Sequence, residues 1–563
     1  MKKQKPLFVV WGRKIYFELY FRALTAVTLA LMLVPLLMSR LPYRLYNTDI
    51  AYHYNLVLWI SRDLANVAYD TYPKLFHVMA ALLVRAGLSI ETSMHLVSFA
   101  FAVMYPVAFY HLALAVFKDK HKALLAAFFS VALWVKTSQV LSGLSMLVPN
   151  MVSMVFFVGV SYFLVSRRFT LGGVTLGLYA ITHNSFVIGG AAAFIYFLLL
   201  WHEKRNVTVW KEFMRVVLVA AAVAAPFFSY VVPRAYFDLY GAFKEVIGGD
   251  NPISLVAAPL LVNPVLIAFA LMLLGGWSVY KSRMDVNRKF VIGILLLIVA
   301  VSQSYFLGFF GGTPFEGVLF QPSRVLQFFL VSAALLSAHY FVERINDKRI
   351  IVLLPLVIVA ISVNAYWSYH DRIGFTLEEQ DVETMRFLQK TVGVRDVVLY
   401  DPSDVHSWLV SNMGGGYPIQ GDKGFFLLAT LQKDPQVAYI VQSNTRLDEY
   451  VKTFKNDLTE VFSNGKYVIY RDDARSALQP DYTRLGVYAQ GFAAFLDAHA
   501  NLAPIVKNNL GNPIQLQFVS TDTDEAPCIA FDKSVRATEC SAPNVRIVAE
   551  QRVLKDLLTT YSV

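Results

Sequence analysis

Runs of apolar residues recur from about residue 20 to residue 369 of this chain. A helix of roughly 20 apolar residues is long enough to span a hydrocarbon core of about 30 Å. The pattern therefore predicts a polytopic α-helical membrane protein with about eleven transmembrane helices. We place them at 20–38, 93–117, 123–141, 151–166, 170–183, 186–201, 212–233, 254–280, 290–308, 323–342 and 349–369.

Short loops rich in Lys and Arg alternate with longer loops along this part of the chain. Because basic loops stay on the cytoplasmic side, we expect a plasma-membrane protein with a cytoplasmic N-terminus and an extracytoplasmic C-terminal domain. The first run lacks a small-residue cleavage site, so we interpret it as a retained helix. Segment 73–88 breaks the alternation. We prefer a short or tilted helix that does not complete a crossing; alternatively, it spans and a helix near 170–201 is miscounted.

From about residue 376 the pattern changes to short apolar stretches separated by polar ones. Glu379 to Thr391 has the periodicity of an amphipathic helix, and short apolar stretches predict strands at 396–400, 437–441 and 467–470. This alternation is typical of a small α/β domain. Farther on we predict a helix at 487–502, strands at 515–519 and 545–548, and a helix at 551–561. The expected domains are 1–370 (transmembrane, with a first outer loop at 39–72), 371–475 (extracytoplasmic α/β) and 476–563 (a small α/β module).

The composition supports a membrane protein, since the chain is 56% hydrophobic and its mean hydropathy is +0.49. The net charge of +10 is unevenly distributed, because residues 371–563 hold 19 Lys and Arg against 25 Asp and Glu. The positive charge therefore lies in the membrane loops, which argues against a nucleic-acid partner. Cys528 and Cys540 either pair on the oxidising side of the membrane or are two unrelated thiols.

Asp49 is the most informative candidate residue, because it is an acid that directly follows the first apolar run. At the outer membrane surface a carboxylate can act as a general base, an effect worth about 10²–10⁴ in rate. It can also ligate a metal, or simply cap the helix that follows. We expect that helix, 52–65, to be amphipathic and to lie on the outer interface. His53, one turn later, either orients Asp49, binds a phosphate or is a plain interfacial residue.

Two cations are candidates for binding a phosphate at the outer side. Arg324 starts a late helix after Pro322, and Lys74 follows the loop that carries Asp49. A guanidinium can grip a phosphate with two hydrogen bonds, although either cation can instead anchor the chain to lipid headgroups. Other polar residues at outer helix ends are weaker, supporting candidates: Tyr72, His77, His183, Asn184 and Glu316. The glycine run 414–416 has no strand–helix context for nucleotide binding and predicts a flexible turn.

Four short motifs, taken in order along the chain, resemble the GT-C superfamily of integral-membrane glycosyltransferases. They are Thr48-Asp49-Ile-Ala-Tyr-His53, Tyr72-Pro-Lys-Leu-Phe-His77, Ile181-Thr-His-Asn184 and the Pro-x-Arg that ends at Arg324. The resemblance covers about residues 15–475 and is closest to the aminoarabinose and protein mannosyl transferase branches. Lys74 replaces a proline that is usual in the second motif. The last 80 or so residues faintly resemble a sterol-carrier lipid-binding module.

The resemblance implies a polyprenyl-phosphate-sugar donor bound from the outer leaflet, with a glycan, lipid or protein as acceptor and membrane lipids around it. It implies Asp49 as catalytic base in an inverting displacement, or as the ligand of a divalent cation, Mg or Mn, in members that need one; no cofactor is certain. Arg324 and Lys74 match donor-phosphate residues by position. The rival functions are a flippase or transporter of a lipid-linked sugar, and a non-catalytic scaffold with an outer binding domain. The apolar runs are nearly free of midplane charge, which disfavours a transporter.

Overall fold

The structure is a computed structural model, whose contacts divide the chain into two compact units, residues 1–375 and 376–563. The structure describes residues 6–10, 13–38, 41, 43–45, 49–69, 74–133, 149–183, 185–242, 273–274, 276–277, 285–306, 322–372, 375–393, 396–400, 405–420, 437–443, 458–472, 489, 493, 514–531, 535–538, 543, 545–551 and 553–554.

The first unit is built mainly of helices, which follow a short antiparallel hairpin of β1 (Phe8–Val10) and β2 (Arg13–Ile15). A further short strand, β3 (Arg44–Leu45), follows the first helix. The helices are α1 (Phe17–Met38), α2 (Asp49–Arg62), a 3-10 helix (Leu64–Tyr69), α3 (Leu75–Arg85), α4 (Ile90–Phe117), α5 (Lys120–Ala132), α6 (Asn150–Val165), α7 (Phe169–Ala180), α8 (Phe186–Lys204), α9 (Thr208–Ala242), α10 (Val286–Phe306), α11 (Pro322–Arg344) and α12 (Lys348–Arg372).

Each predicted span coincides with one of these helices over the described residues, except 254–280, which lies almost wholly outside them. Among the residues that the structure describes, three helical stretches are long and apolar enough to cross a membrane: Phe17–Val34 in α1, the whole of α4 and the whole of α8. These helices indicate an integral membrane protein. Helix α3 has 11 residues and is therefore about 16 Å long, close to α7 with its 12 residues, so our preference for a helix at 73–88 that does not complete a crossing stays a prediction.

Helix α2 is where we expected it, but its surroundings differ from our expectation. We predicted an amphipathic helix on the membrane surface, and this is wrong, because apolar and polar residues are buried on all sides of it. Leu56, Val57 and Ile60 are at most 1% exposed, and His53 and Asn55 are also buried. The reason is that its polar residues find partners inside the protein: Tyr54, for example, donates a hydrogen bond to Glu91 of α4.

Helices α7 and α9 meet at two glycines spaced one turn apart. A Cβ atom at Gly173 would lie 2.8 Å from the carbonyl oxygen of Val216 and from Cβ of Val219, both on α9. A Cβ at Gly177 would lie 2.6 Å from Cβ of Val223. Small residues at this spacing let two helix backbones approach closely in a membrane. We call this contact the glycine seam.

The second unit contains a five-stranded mixed sheet, in which the helix Val405–Met413 connects two parallel strands. Strand β4 (Phe375–Thr376) lies at the boundary of the units, and the sheet has the order β6-β5-β7-β9-β8. β5 is parallel to β6 and β7, whereas β9 is antiparallel to β7 and β8. The helices and strands of this part of the second unit are α13 (Glu379–Thr391), β5 (Val397–Tyr400), α14 (Val405–Met413), β6 (Tyr417–Gln420), β7 (Val437–Gln442), β8 (Leu458–Ser463) and β9 (Val468–Asp472).

The prediction of helix α13 and of strands β5, β7 and β9 is confirmed, since the observed bounds differ from ours by at most two residues. The glycine run 414–416 forms the turn from α14 to β6. That turn is closely packed, because a Cβ at Gly416 would lie 2.6 Å from methyl groups of Val392 and Val398. The glycines there serve a tight turn between a helix and a strand.

Asp381 joins α13 to the turn between β8 and β9. Its side chain is fully buried and accepts hydrogen bonds from Tyr467 (2.6 Å), from Lys466 (3.1 Å) and from the amide of Glu378 (2.8 Å). Nδ1 of His406 lies 3.0 Å from the same carboxylate. Burial raises the pKa of Asp381, but the hydrogen bonds outweigh burial and hold it below its usual value. Burial likewise lowers the pKa of Lys466, and its bonds to Asp381 and Glu378 outweigh this and raise it.

A second, four-stranded sheet lies later in the same unit, in the order β12-β11-β10-β13. β10 pairs in parallel with β13, and the other pairs are antiparallel. The strands are β10 (Ile514–Ser520), β11 (Cys528–Phe531), β12 (Val535–Thr538) and β13 (Val545–Ala549), so both predicted strands are present and β11 and β12 are additional. Cys528 is disulfide-bonded; the chain's other cysteine, Cys540, lies outside the described residues, as do most positions of the two predicted helices in this region.

Candidate active site

The structure places the backbone of the two residues on which the sequence argument depends most. Asp49 is the first residue of α2, and Arg324 is the third residue of α11. Their side chains lie outside the part of the structure that is described. Tyr72, Asn184 and Glu316 lie outside the described residues altogether.

Two of the supporting histidines form a direct pair between α2 and α3. Nδ1 of His53 lies 2.9 Å from Nε2 of His77, and the ring centroids are 5.1 Å apart. Both side chains are buried. In such a bond one ring nitrogen donates and the other accepts, so the two imidazoles cannot both be fully protonated while the bond is intact. The pair ties the helix that begins with Asp49 to the helix that follows Lys74.

Lys74 is 1% exposed, which is unusual for lysine because its ammonium group is costly to bury without partners. It occupies the N-cap position of α3 and makes no capping hydrogen bond with its side chain. The amide of the next residue, Leu75, donates to the carbonyl of Ile181 at 2.8 Å. Lys74 is therefore fixed beside the turn that carries His183, although more than 100 residues separate the two in sequence.

His183 lies in this turn between α7 and α8 and is buried with two hydroxyl residues. Its Nδ1 is 2.7 Å from Oγ of Ser185, and Ser185 Oγ is 2.9 Å from the Tyr179 hydroxyl. Sequence reasoning selected His183 and missed Ser185 and Tyr179. A serine two residues after a histidine in a helix–helix turn was the available signal, whereas nothing in the sequence marks Tyr179 within its apolar helix.

Four of the predicted site residues, Lys74, His53, His77 and His183, are thus buried on elements that contact one another. Helix α3 supplies Lys74 and His77, α2 supplies His53, and the turn after α7 supplies His183. Within the described residues, no group of three or more His, Cys, Asp and Glu side chains is placed to hold a metal ion. What the arrangement offers is one buried lysine close in the fold to hydrogen-bonding imidazole rings, which suits an anionic ligand.

A separate polar cluster joins α5 to α11. The ammonium of Lys122 bonds to Glu343 at 2.5 Å and lies 3.3 Å from Nδ1 of His339. His339 is also stacked on the ring of Phe117. Lys122 lies in the first turn of α5, at an end that the charge pattern predicts to be cytoplasmic, whereas Lys74 is predicted to lie near the outer side. This cluster connects two helices and is not a second candidate site.

Neither a protein-family model nor a curated protein sequence matches this chain, but solved structures do. ArnT from Cupriavidus metallidurans bound to undecaprenyl phosphate aligns with a TM-score of 0.51 and 11% identity, over 82% of this chain and 99% of that chain. The apo state of the same protein gives 0.50 and 12% over the same shares. An oligosaccharyltransferase from Archaeoglobus fulgidus in complex with Zn and sulfate gives 0.48 and 11%, over 93% of this chain and 96% of that chain.

ArnT and the archaeal oligosaccharyltransferase are both GT-C glycosyltransferases. The identities are low, so the likeness concerns the fold, and the two ArnT structures carry it. The resemblance that the short motifs indicated is therefore confirmed at that level: over most of its length, this chain has the fold of the GT-C glycosyltransferases.

Proposed function

We propose that this protein is a membrane glycosyltransferase that moves a sugar from a polyprenyl-phosphate donor to an acceptor hydroxyl at the extracytoplasmic face. The observation that carries the proposal is the burial of Lys74 at the start of α3, a helix that contacts α2 through the His53–His77 pair and the turn of His183 through the Leu75 amide, in a GT-C fold. A lysine ammonium can bind the phosphate of a lipid-linked sugar as a point charge. ArnT, a neighbour in fold, binds undecaprenyl phosphate.

The reaction needs charge stabilisation on its leaving group. When the bond from the anomeric carbon to the phosphate oxygen breaks, negative charge grows on the departing lipid phosphate. A cation held in a site that excludes water stabilises this charge more than it would in bulk solvent. Lys74 supplies the cation in this proposal, and Arg324 at the start of α11 supplies the second.

The reaction also needs a base for the attacking hydroxyl, and we assign that role to Asp49. In α2, Asp49 and His53 are four positions apart, and residues at this spacing lie on one face of a helix. The His53–His77 bond therefore holds in place the first turn of α2, which begins with Asp49. Direct attack by the deprotonating hydroxyl on the face opposite the phosphate inverts the anomeric configuration. A divalent cation bound by Asp49 remains compatible with this assignment, and no step is derived through it.

The orientation of the chain belongs to the same proposal. Placing Lys74 and Arg324 at the outer leaflet puts the C-terminal domains outside the cytoplasm, with the division at 370 and 475 that the sequence predicts. The disulfide of Cys528 supports this placement, because disulfides persist in oxidising compartments. The small last module, 476–563, then lies where it can contact lipid or acceptor.

The test is mass spectrometry of the lipids that co-purify with gently solubilised protein. Wild type is compared with Lys74→Met and Arg324→Ala, and with Lys118→Met as a matched control for removing a lysine in a predicted cytoplasmic loop. We expect a polyprenyl phosphate or its sugar adduct on wild type and on the control, and its loss from the two site variants. Bulk phospholipid alone on all four proteins, with added undecaprenyl phosphate also failing to bind, contradicts the proposal.

A further inference from the structure

Three side chains form a hydrogen-bonded chain that ends at the imidazole of His183. The Tyr179 hydroxyl lies 2.9 Å from Oγ of Ser185, and that oxygen lies 2.7 Å from Nδ1 of His183. The backbone N–H of Ser185 also donates to the same ring nitrogen, at 3.1 Å. All three residues are buried, so the fold rather than solvent sets their hydrogen bonds.

The backbone N–H of Ser185 determines the protonation of the ring. An amide N–H can donate and cannot accept, so Nδ1 of His183 must be the acceptor and carries no proton. A neutral imidazole without a proton on Nδ1 has it on Nε2. The directions of the other bonds follow, because Ser185 Oγ can then donate to Nδ1 and accept from the Tyr179 hydroxyl.

The Tyr179 ring is itself held in place by a glycine on α8. A Cβ atom at Gly189 would lie 2.9 Å from Cε1 of Tyr179, so the ring rests directly against the helix backbone. A Cβ at the neighbouring Gly190 would meet nothing within 4 Å. The start of the hydrogen-bonded chain is thus fixed by packing, and its end is fixed by a backbone amide.

The hydrogen-bonded residues Tyr179, Ser185 and His183 lie next to the candidate anion site. His183 follows Ile181, whose carbonyl accepts from the Leu75 amide beside Lys74. An ammonium attracts a phosphate as a point charge, whereas a ring N–H adds one directed hydrogen bond. A ring locked in one tautomer presents that N–H without the cost of reorienting.

We infer that Tyr179 and Ser185 are positioning residues that hold His183 as a neutral, Nε2-protonated donor to a phosphate oxygen of the lipid donor. This inference rests on the proposed function for its ligand, and on the hydrogen-bond geometry alone for its tautomer. The two parts are therefore tested by separate measurements on the full-length protein.

The tautomer is measured by ring ¹⁵N NMR of histidine-labelled protein in lipid nanodiscs without added ligand, with His183→Gln used to assign the His183 signals. We expect a protonated Nε2 and an unprotonated Nδ1 in wild type and in Gly190→Ala. Ser185→Ala, Tyr179→Phe and Gly189→Ala keep the backbone N–H of residue 185, so we expect Nε2 to stay protonated in them while the Nδ1 signal shifts, because its hydroxyl donor is lost or displaced. A proton on Nδ1 in the wild type overturns the tautomer, and an Nδ1 signal unchanged in all three variants overturns the positioning role.

The ligand is tested by titrating undecaprenyl phosphate and measuring its dissociation constant by native mass spectrometry. The amide nitrogen of glutamine can take the place of Nε2, whereas that of asparagine takes the place of Nδ1. We therefore expect His183→Asn to weaken binding about tenfold, as for one hydrogen bond to a charged group, and His183→Gln to restore most of it. Equal losses in both variants, or none in either, overturn the donor role of His183. A wild type that binds no undecaprenyl phosphate overturns the proposed function as well, and the NMR result still decides the tautomer.

Discussion

Nδ1 of His53 and Nε2 of His77 lie 2.9 Å apart in the interior of the first unit and join α2 to α3. This bond links the two short motifs that carry Asp49 and Lys74. If it positions these motifs, removing one ring leaves a buried polar partner, which costs about 1–3 kcal/mol.

We predict that His53→Leu and His77→Leu each lower the thermal unfolding midpoint. In the double variant the midpoint should fall by less than the sum of the two single decreases. Contacting residues in one network show coupling free energies of about 0.5–3 kcal/mol. The measurement is thermal unfolding of the purified full-length protein, with the exposed His202→Leu as the control that leaves the midpoint unchanged. Strictly additive effects of the two substitutions contradict the prediction.

Asp49→Asn is expected to reduce sugar transfer about 10²–10⁴-fold while leaving the binding of the lipid donor nearly intact, because the amide cannot accept the proton of the attacking hydroxyl. The assay follows transfer from the lipid-linked sugar that co-purifies with wild type. Asp63→Asn is the matched control, since Asp63 lies just after the other end of α2 and is exposed. Equal activity of Asp49→Asn and the control excludes Asp49 as the base.

Gly177→Ala is expected to destabilise the first unit by about 1–3 kcal/mol, because the added Cβ would collide with Val223 and with the backbone of α9. Gly190→Ala is the control, since it adds the same atom to a neighbouring helix in open space. The unfolding midpoint of the two variants in the same detergent gives the comparison. A similar midpoint for both would mean that α7 and α9 separate easily, contrary to the glycine seam.

In the ion pair of Lys122 and Glu343, we expect the loss of stability to depend on which partner is removed. The Lys122 side chain is 6% exposed and that of Glu343 is 47% exposed. Glu343→Leu leaves an ammonium in the interior, so we expect a loss of about 1–3 kcal/mol, reduced from that of a fully buried pair because water reaches the carboxylate. Lys122→Met leaves only a half-exposed carboxylate and is expected to cost less. Unfolding of the two variants measures the difference, and the reverse order contradicts the prediction.

Asp381 predicts that the β8–β9 hairpin loosens in acid. Its pKa is below its usual value of 3.8 in the folded protein, so its stabilising contribution is complete above about pH 4 and is lost as the pH falls through the lowered pKa. Hydrogen exchange in residues 458–472 should therefore be faster in Asp381→Asn than in wild type at pH 6, with the difference shrinking toward pH 3. The exposed Glu379→Gln is the control. A difference that does not change with pH would assign the effect to packing instead of charge.

The sequence was a good guide to helices and strands and a poor guide to their surroundings. Glu379 to Thr391 was predicted with its observed bounds, because a single amphipathic period and a local cap define this helix. Helix α2 was found but misplaced on the membrane surface, since its polar residues pair with partners distant in sequence, as Tyr54 does with Glu91. Strand β8 was missed because its alternation of polar and apolar residues is weak.

In the candidate site too, the sequence predicted individual residues but not the contacts between distant segments. The motifs selected Lys74, His77 and His183, because each stands at the end of an apolar run where a polar residue needs a reason. They could not show that Leu75 and Ile181 share a backbone hydrogen bond, which depends on how α3 and α7 pack. Ser185 and Tyr179 are close to His183 in sequence, but only the folded turn shows that the three side chains form one hydrogen-bonded row.

The glycine seam has a mechanical consequence for the site. Where Gly173 and Gly177 face α9, backbone meets neighbouring atoms with no intervening side chain on α7 whose rotamer could change. Close-packed contacts of this kind have few alternative arrangements. We therefore expect helices α7 and α9 to move together as one rigid unit, which carries the turn of His183 at the end of α7. If the protein binds the lipid donor that we propose, we expect the movement that admits it to come from the elements around these two helices.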